Sequence, residues 1–368
     1  MTNQIGLADL QAVHAELDNE LKEAVLRVVR SGRYVGGHEV IAFEEAFAEY
    51  LGAHHVVAVA NGTEALSLAL AAVGMPAGGE VLVPANTFIA TAEAVVAAGA
   101  TPRFVDVEAD SGLIDLSSAC ERLTQRTQAI IPVHLYGRMV EMDAVVKFAQ
   151  KHDLAVVEDA AQAHGARRDG HHAGTCGHAG CFSFFPGKNL GALGDAGAVV
   201  ANDDGVAERL RMLRDHGRRT RDEHELVGRN SRMDALQAAA LAVKLPHLDR
   251  WLQARREVAG RYRATLGPML DWQPDLAEAE SHHIFPILVE DRDQLQARLR
   301  ERGITTGVHY RYSLPNTRAF ASADPCPTAA KRAEMQLSLP IHSCLSDEDV
   351  TRIVDEVLAC GARATADV

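Results

Sequence analysis

The chain has 368 residues, 47% of them hydrophobic and 24% charged, with a formal net charge of −13. That length gives room for one large α/β domain with a smaller one beside it. The acidic balance argues against a general nucleic-acid or anionic-membrane surface. Aromatic residues make up only 5%, while Ala, Gly and Val are plentiful, which suits helices packed on a sheet better than an all-β fold. The N-terminus has neither a basic start nor an apolar core, so no secretory signal is expected. No apolar run approaches the roughly 20 residues needed to span a bilayer. The six scattered cysteines read as reduced thiols of a cytoplasmic protein.

In chain order, Leu10, Val13, Leu17, Leu21, Val25 and Val28 recur at helical spacing, and Ser31-Gly32 ends that helix. A second helix carries Phe43, Phe47 and Leu51 on one side and stops at Gly52. Short apolar runs then alternate with helical patterns. Strands are expected over 55–60, 80–84, 101–107, 128–133 and 154–158, with helices over 63–73, 88–98 and 142–152. Single helices between strands are what a parallel sheet with right-handed crossovers requires. The expected fold class is α/β, with a mostly parallel sheet flanked by helices and a smaller C-terminal α+β domain. The division is placed between residues 245 and 246, giving domains 1–245 and 246–368. In the second part, a long helix over 241–266 should kink or split at Pro246. A strand (283–290), a helix (294–302), a strand (304–310) and a last helix follow. That last helix opens at Ser346 with Asp349 as an approximate capping box.

Four features of the first part bear on chemistry. Asn61-Gly62-Thr63 sits where a strand turns into a helix, and the unpaired N–H groups of a helix N-terminus can hold a phosphate. The same tripeptide also serves as an ordinary turn and cap. Asp159 stands at the carboxyl end of the strand 154–158, where open α/β sheets bind ligands. It is placed either to pair with a protonated ring nitrogen or to cap the next segment. Lys188 lies in Phe184-Phe185-Pro186-Gly187-Lys188-Asn189-Leu190-Gly191 and is one of six lysines in the chain. A lysine amine in a dry setting can be deprotonated for Schiff-base chemistry, which arginine cannot provide. Ser183, five residues earlier, could donate to a phosphate. Phe88 follows the strand 80–84, as either a ring-stacking aromatic or a core residue.

Other constellations carry less. His171, His172, Cys176, His178 and Cys181 bring zinc-ligand types together, but the paired Cys-x-x-Cys spacing is missing, and no metal is expected. The spacing Gly191-x-x-Gly194-x-x-Gly197 follows the lysine turn instead of opening a βαβ unit, so it is not a dinucleotide fingerprint. The cluster Arg209, Arg211, Arg214, His216, Arg218, Arg219 and Arg221 is either a solvated face or a surface for a phosphorylated small molecule.

Taken together, the stretches SGRYVGG (31–37), NGTEAL (61–66), PANTFIATA (84–92), IIPVHLYG (130–137), EDAAQAHGA (158–166), FSFFPGKNLGALGDAGAVV (182–200) and GRNSRMDALQAA (228–239) closely resemble the DegT/StrS family of fold type I sugar aminotransferases. The resemblance implies pyridoxal 5'-phosphate as cofactor, with pyridoxamine phosphate as its aminated form. Lys188 would hold it as a Schiff base and shuttle the proton, and Asp159 would pair with the ring nitrogen. Gln162 would lie near the ring hydroxyl, with Phe88 stacked on the ring. Gly62, Thr63 and Ser183 would hold the phosphate, joined by Asn230 from a second subunit of a homodimer with shared active sites. The implied reaction moves an amine from L-glutamate to a nucleotide-linked keto-deoxyhexose. The Pro186–Gly191 form favours the 3-keto position over the 4-keto position or an aminocyclitol precursor. Arg33, Tyr34, Arg219, His309 and Tyr310 are the substrate-contact candidates. The family's usual His-Tyr-Pro reads His309-Tyr310-Arg311 here, which departs from the pattern in the segment that lines the sugar-nucleotide site. Related dehydratases replace the lysine with histidine, so Lys188 argues for transamination. It also argues against a non-catalytic regulatory paralogue.

Overall fold

The computed structural model describes residues 4–267 and 280–361. The outermost residues of the two expected domains, 1–3 and 362–368, lie outside that range. Seven strands form the main sheet: β1 (His55–Val59), β2 (Glu80–Pro84), β3 (Thr101–Val105), β4 (Thr127–Ile130), β5 (Ala155–Asp159), then, after a short hairpin of β6 (Arg167–Arg168) and β7 (His171–His172), β8 (Ala179–Ser183) and β9 (Gly197–Ala201). Their order is β1-β9-β8-β5-β4-β2-β3. Every pairing is parallel except those of β9, which runs antiparallel to β1 and to β8. The α/β, mostly parallel reading therefore holds. β8 and β9, which flank the Lys188 segment, complete the sheet beyond the strands expected from the sequence.

Helix Gly62–Ala72 shows why the centre of the sheet is dry. After Glu64 in its first turn its residues are small or aliphatic, and Ala65 through Leu70 are all buried, so it packs as a largely enclosed helix across β8, β9 and β5. Phe43 and Phe47, on helix His38–Leu51, cover the same sheet from outside. Phe47 meets Phe182 and Phe184 edge-on, with ring centroids 5.1 and 5.3 Å away.

Two expectations are corrected. The first helix is two, Leu10–Glu16 and Asp18–Ser31, because the chain breaks at Leu17 (φ −117°, ψ 18°). That break lets Leu17 and Leu21 pack with Ala240 and Trp251, while Ala24 and Val28 pack with Ala235 and Ala239. The segment 304–310 is not a strand and makes only isolated bridges, Ile5 to Ile304 and Gly307 to Ser338. The small sheet instead pairs β10 (Phe285–Leu288) with β11 (Gln336–Leu339), so the partner edge is already filled. Helices Leu116–Glu121, Asp204–Leu213 and Pro327–Met335 join those expected from the sequence. Pro246 acts as anticipated, in a 3-10 turn, Leu245–His247, that separates helix Ala235–Lys244 from helix Leu248–Leu266. The last helix, Asp347–Ala359, has the full Ser346–Asp349 capping box.

Beside the small clusters around Leu17 and Val28, two larger hydrophobic cores form, and the helix Leu248–Leu266 runs from one to the other. Leu248 and Leu252 belong to the larger core, Val258, Ala259, Tyr262 and Leu266 to the smaller. Ile5, near the start of the chain, packs into the smaller core. No helix among the described residues is long and apolar enough to cross a membrane, and all six cysteines are unpaired. Truncating the fully buried Phe47 to alanine should cost about 3–5 kcal/mol. The check is the midpoint shift in urea denaturation at unchanged slope.

Candidate active site

The carboxyl ends of the parallel strands open into one cavity of about 740 Å³. Asp159 is the last residue of β5 and Ser183 the last of β8. Gly62 starts the helix after β1, and Thr87-Phe88 follow β2. A crevice at the carboxyl ends of the strands is where open α/β sheets gather ligand contacts. Nine of the residues singled out in the sequence line this cavity: Gly62, Thr63, Phe88, Asp159, Gln162, Ser183, Lys188, His309 and Tyr310.

Asp159 is held on all sides. Its backbone N–H donates to Pro132 O at 2.9 Å and its carbonyl accepts from His134 N at 3.0 Å. The carboxylate accepts from Thr91 Oγ1 at 2.8 Å and from the Ala161 N–H at 3.1 Å. Burial raises its pKa, opposed by those two hydrogen bonds and by the charge of Lys188. A cation set against this carboxylate would relieve the penalty of burying it. The capping alternative is realised in part through the Ala161 N–H.

Lys188 is pushed the other way. Desolvation lowers its pKa to about 8, against an upward pull from Asp159. Its turn is fixed from several directions. Lys188 N–H donates to Phe185 O at 2.8 Å, Asn189 Nδ2 donates to Ser281 O at 2.8 Å, and the buried Lys244 Nζ donates to Gly191 O at 2.7 Å. At neutral pH about a tenth of Lys188 would be the free amine, against well under a thousandth for an ordinary lysine.

The same cavity is lined by the start of helix Gly62–Ala72 and the end of β8. The Asn61 side chain caps helix Gly62–Ala72 by accepting from Glu64 N–H at 2.9 Å. A Cβ on Gly62 would fall 2.6 Å from Ser183 Cβ, so only glycine lets the helix start approach the end of β8 this closely. Thr63 and Ser183 add hydroxyls to the same wall. On the remaining sides Gln162 accepts from Tyr136 N–H at 2.7 Å and donates to the Tyr310 hydroxyl at 3.0 Å. The Tyr310 ring is tilted 35° to that of Phe88, with centroids 5.5 Å apart. Phe88 is 51% exposed and therefore not a core residue. His309 Nδ1 lies 2.9 Å from Ser338 Oγ, and burial holds its pKa at about 4.

The other candidates lie elsewhere in the single chain. Asn230 is exposed and accepts from Arg232 at 2.8 Å. Arg33 and Tyr34 are exposed near the end of helix Asp18–Ser31. Arg219 is ion-paired with Glu208 and Glu225 on the surface, which realises the solvated-face alternative for that arginine. None of these four lines the cavity. Within the zinc-like set, His178 Nδ1 accepts from Val156 N–H at 2.9 Å and His172 packs on the Tyr50 ring. Among the described residues no three metal-ligating side chains converge. Sequence reasoning missed Thr91, His283 and Arg255. The one local signal for Thr91 is a hydroxyl four residues after that of Thr87, which it meets at 3.0 Å. Nothing local marks the other two.

A family model for the DegT/DnrJ/EryC1/StrS aminotransferase family matches residues 15–358. The chain is 42% identical over 363 residues to the dTDP-3-amino-3,4,6-trideoxy-alpha-D-glucose transaminase of Streptomyces venezuelae, covering 97% of this chain and 96% of that one. It is 41% identical over 354 residues to a UDP-N-acetyl-3-dehydro-alpha-D-glucosamine 3-aminotransferase of Acidithiobacillus ferrooxidans, covering 95% and 96%. Among solved structures, S. venezuelae DesV in complex with a ketimine intermediate superposes with a TM-score of 0.94 over 98% of this chain and 99% of that one, at 42% identity. The fold and site define an aminotransferase. The chain belongs to the DegT/DnrJ/EryC1/StrS aminotransferase family.

The electrostatics of the pair can be read directly. Competitive acetylation of Lys188 in cofactor-free protein, followed by mass spectrometry, should show a midpoint near pH 8. Because Asp159 holds the amine's pKa up, Asp159→Asn should move that midpoint lower still. A midpoint near that of surface lysines would contradict the desolvated site.

Proposed function

We propose that this aminotransferase uses pyridoxal 5'-phosphate to transfer the amine of L-glutamate to a nucleotide-linked 3-keto-deoxyhexose. The observation that carries the reading is the desolvated Lys188 on one cavity wall with the buried Asp159 carboxylate. The residues present fit the cofactor. Gly62, Thr63 and Ser183 offer the cradle for its phosphate, and Asp159 offers a carboxylate for its ring nitrogen. Gln162 stands ready for its ring hydroxyl, and Phe88 provides a flat exposed ring. When bound, pyridoxal phosphate supplies an electron sink for charge developing at the substrate carbon.

The chain's own residues supply the rest. Lys188 Nζ is the covalent anchor and, once released, the base that takes and returns the proton at the reacting carbon. A base with pKa near the working pH combines availability with driving force. Asp159, fixed by Thr91 and Ala161, keeps a negative charge where a cationic ring nitrogen is needed. His309 and Tyr310 line the substrate side of the cavity, and the low pKa of His309 keeps it a neutral hydrogen-bonding group.

The 3-keto assignment is supported by the names of the S. venezuelae and A. ferrooxidans relatives and by the lysine-turn form. A homodimer is supported by exposed apolar side chains around Asn230 and at Tyr34-Val35, with Val227 98% exposed. In such a dimer Asn230 would complete the partner's phosphate cradle. The cysteine pattern supports a cytoplasmic location.

Purified protein supplied with pyridoxal phosphate, L-glutamate and separate 3-keto and 4-keto dTDP-hexoses should aminate the 3-keto sugar, read by product mass and regiochemistry. Lys188→Ala should lower kcat by on the order of 10²–10⁴ or more. Wild-type turnover by that variant would refute the mechanism. Mixing Lys188→Ala with Asn230→Ala subunits should recover activity that neither variant shows alone. Failure to recover it would refute the shared site.

A further inference from the structure

Arg255 stands out among the groups the mechanism leaves unused. It sits midway along helix Leu248–Leu266, between Leu252 of the larger core and Val258 of the smaller, and is only 8% exposed. One guanidinium nitrogen, Nη1, donates to His282 O at 3.1 Å and to Ile341 O at 2.8 Å, tying the helix to both segments. The N–H groups on Nε and Nη2 find no acceptor among the described residues, and neither nitrogen is sealed from solvent. No carboxylate among the described residues pairs with this cation. The titratable groups facing it are His282, His283, His342 and Cys344; burial lowers the pKa of all three histidines and raises that of the thiol. Asp9 lines the same narrow recess, but it is exposed, caps the helix Leu10–Glu16 through Ala12 N–H and makes no ion pair with Arg255.

Burying a guanidinium with no anion is costly, and a structure that keeps one has a use for the open donors. Arg255 lines the 740 Å³ cavity together with Lys188 and is its only arginine among the described residues. The two also share the wall of a narrow recess of about 30 Å³. His283, also on the cavity wall, feels the charge of both. Arg255 meets the cavity at Ile341, whose carbonyl it holds, and the proposed phosphate cradle is built from different residues.

We propose that Arg255 binds a carboxylate of the amino-acid donor and thereby positions the donor amine beside Lys188. This rests on the aminotransferase reading above. A carboxylate matches a single planar guanidinium fork in charge and shape. A diphosphate carries more charge than this one arginine balances, so the nucleotide is the less suited occupant.

The test is titration of the cofactor-loaded protein with glutarate, a dicarboxylate without an amine, and separately with dTDP, followed by calorimetry. In Arg255→Gln the glutarate Kd should rise at least about tenfold, the loss of one charge-assisted contact, while the dTDP Kd stays unchanged. Arg255→Lys, which keeps the charge but not the fork, should fall between wild type and Arg255→Gln. In turnover, the KM for L-glutamate should rise with little change in the KM for the sugar. Retained cofactor absorbance and an unchanged Tm show that each variant is folded, and if Arg255→Gln does not fold, the lysine variant alone must show the weakened glutarate binding. The proposal is overturned if glutarate binds folded variants as it binds wild type, if wild type does not bind glutarate, or if dTDP is weakened instead. Should wild type fail to use L-glutamate at all, the donor reading falls, while the glutarate titration still reports on Arg255.

Discussion

Two opposite charges kept out of water, Asp159 and Lys188, set the terms for the rest of the site. Each shifts in the direction that burial dictates, and each moderates the shift of the other. A carboxylate and an amine in such a setting persist only if the surrounding structure holds them there. Much of the large domain can be understood as that support.

The support begins one residue away. Glu158, fully buried beside Asp159, accepts from His134 Nε2 at 2.8 Å and from the N–H groups of Gly174, Cys176 and Gly177 at 2.8, 2.7 and 2.6 Å. His134 Nδ1 in turn accepts from Val140 N–H at 3.1 Å, which leaves the proton on Nε2. The Glu158 carboxylate thus closes the loop after β7 onto the end of β5. Of the residues that look like metal ligands by composition, Cys176 gives its backbone N–H to this satisfied carboxylate and His178 accepts from Val156 N–H. Asp159 inherits its fixed position from this network, as Lys188 does from Asn189 and Lys244.

The second support is the close approach of helix Gly62–Ala72 to β8. That approach requires a glycine at the helix's first position, and the small and aliphatic residues from Ala65 onward let the rest of it pack on the sheet. It brings the positive end of the helix to the same cavity that holds the two charges. The long helix from Leu248 to Leu266 then joins the two cores and carries a third charge, Arg255, to the seam between them. Charge placement and domain packing are parts of one arrangement.

Much of this was legible in the chain itself. Alternating strands and helices declared the α/β sheet, because periodicity reports which face is buried whatever the partner. Gly62 and Asp159 could be named because strand ends are where such a sheet opens, and Ser183 from its place five residues before Lys188. Lys188 could be named from its glycine-bounded turn. Other features depended on contacts distant in sequence. Whether 304–310 or 336–339 completes the small sheet depends on which segment reaches the edge of β10, and neither pattern states this. Thr91 gains its meaning only when Asp159, 68 residues away, comes within 2.8 Å of it. Arg255 reads locally as one more helical arginine. Sequence by itself determined the elements and the strand-end chemistry, because these follow from local spacing. Tertiary structure decided which charges are dry, since desolvation is a property of everything packed around a side chain.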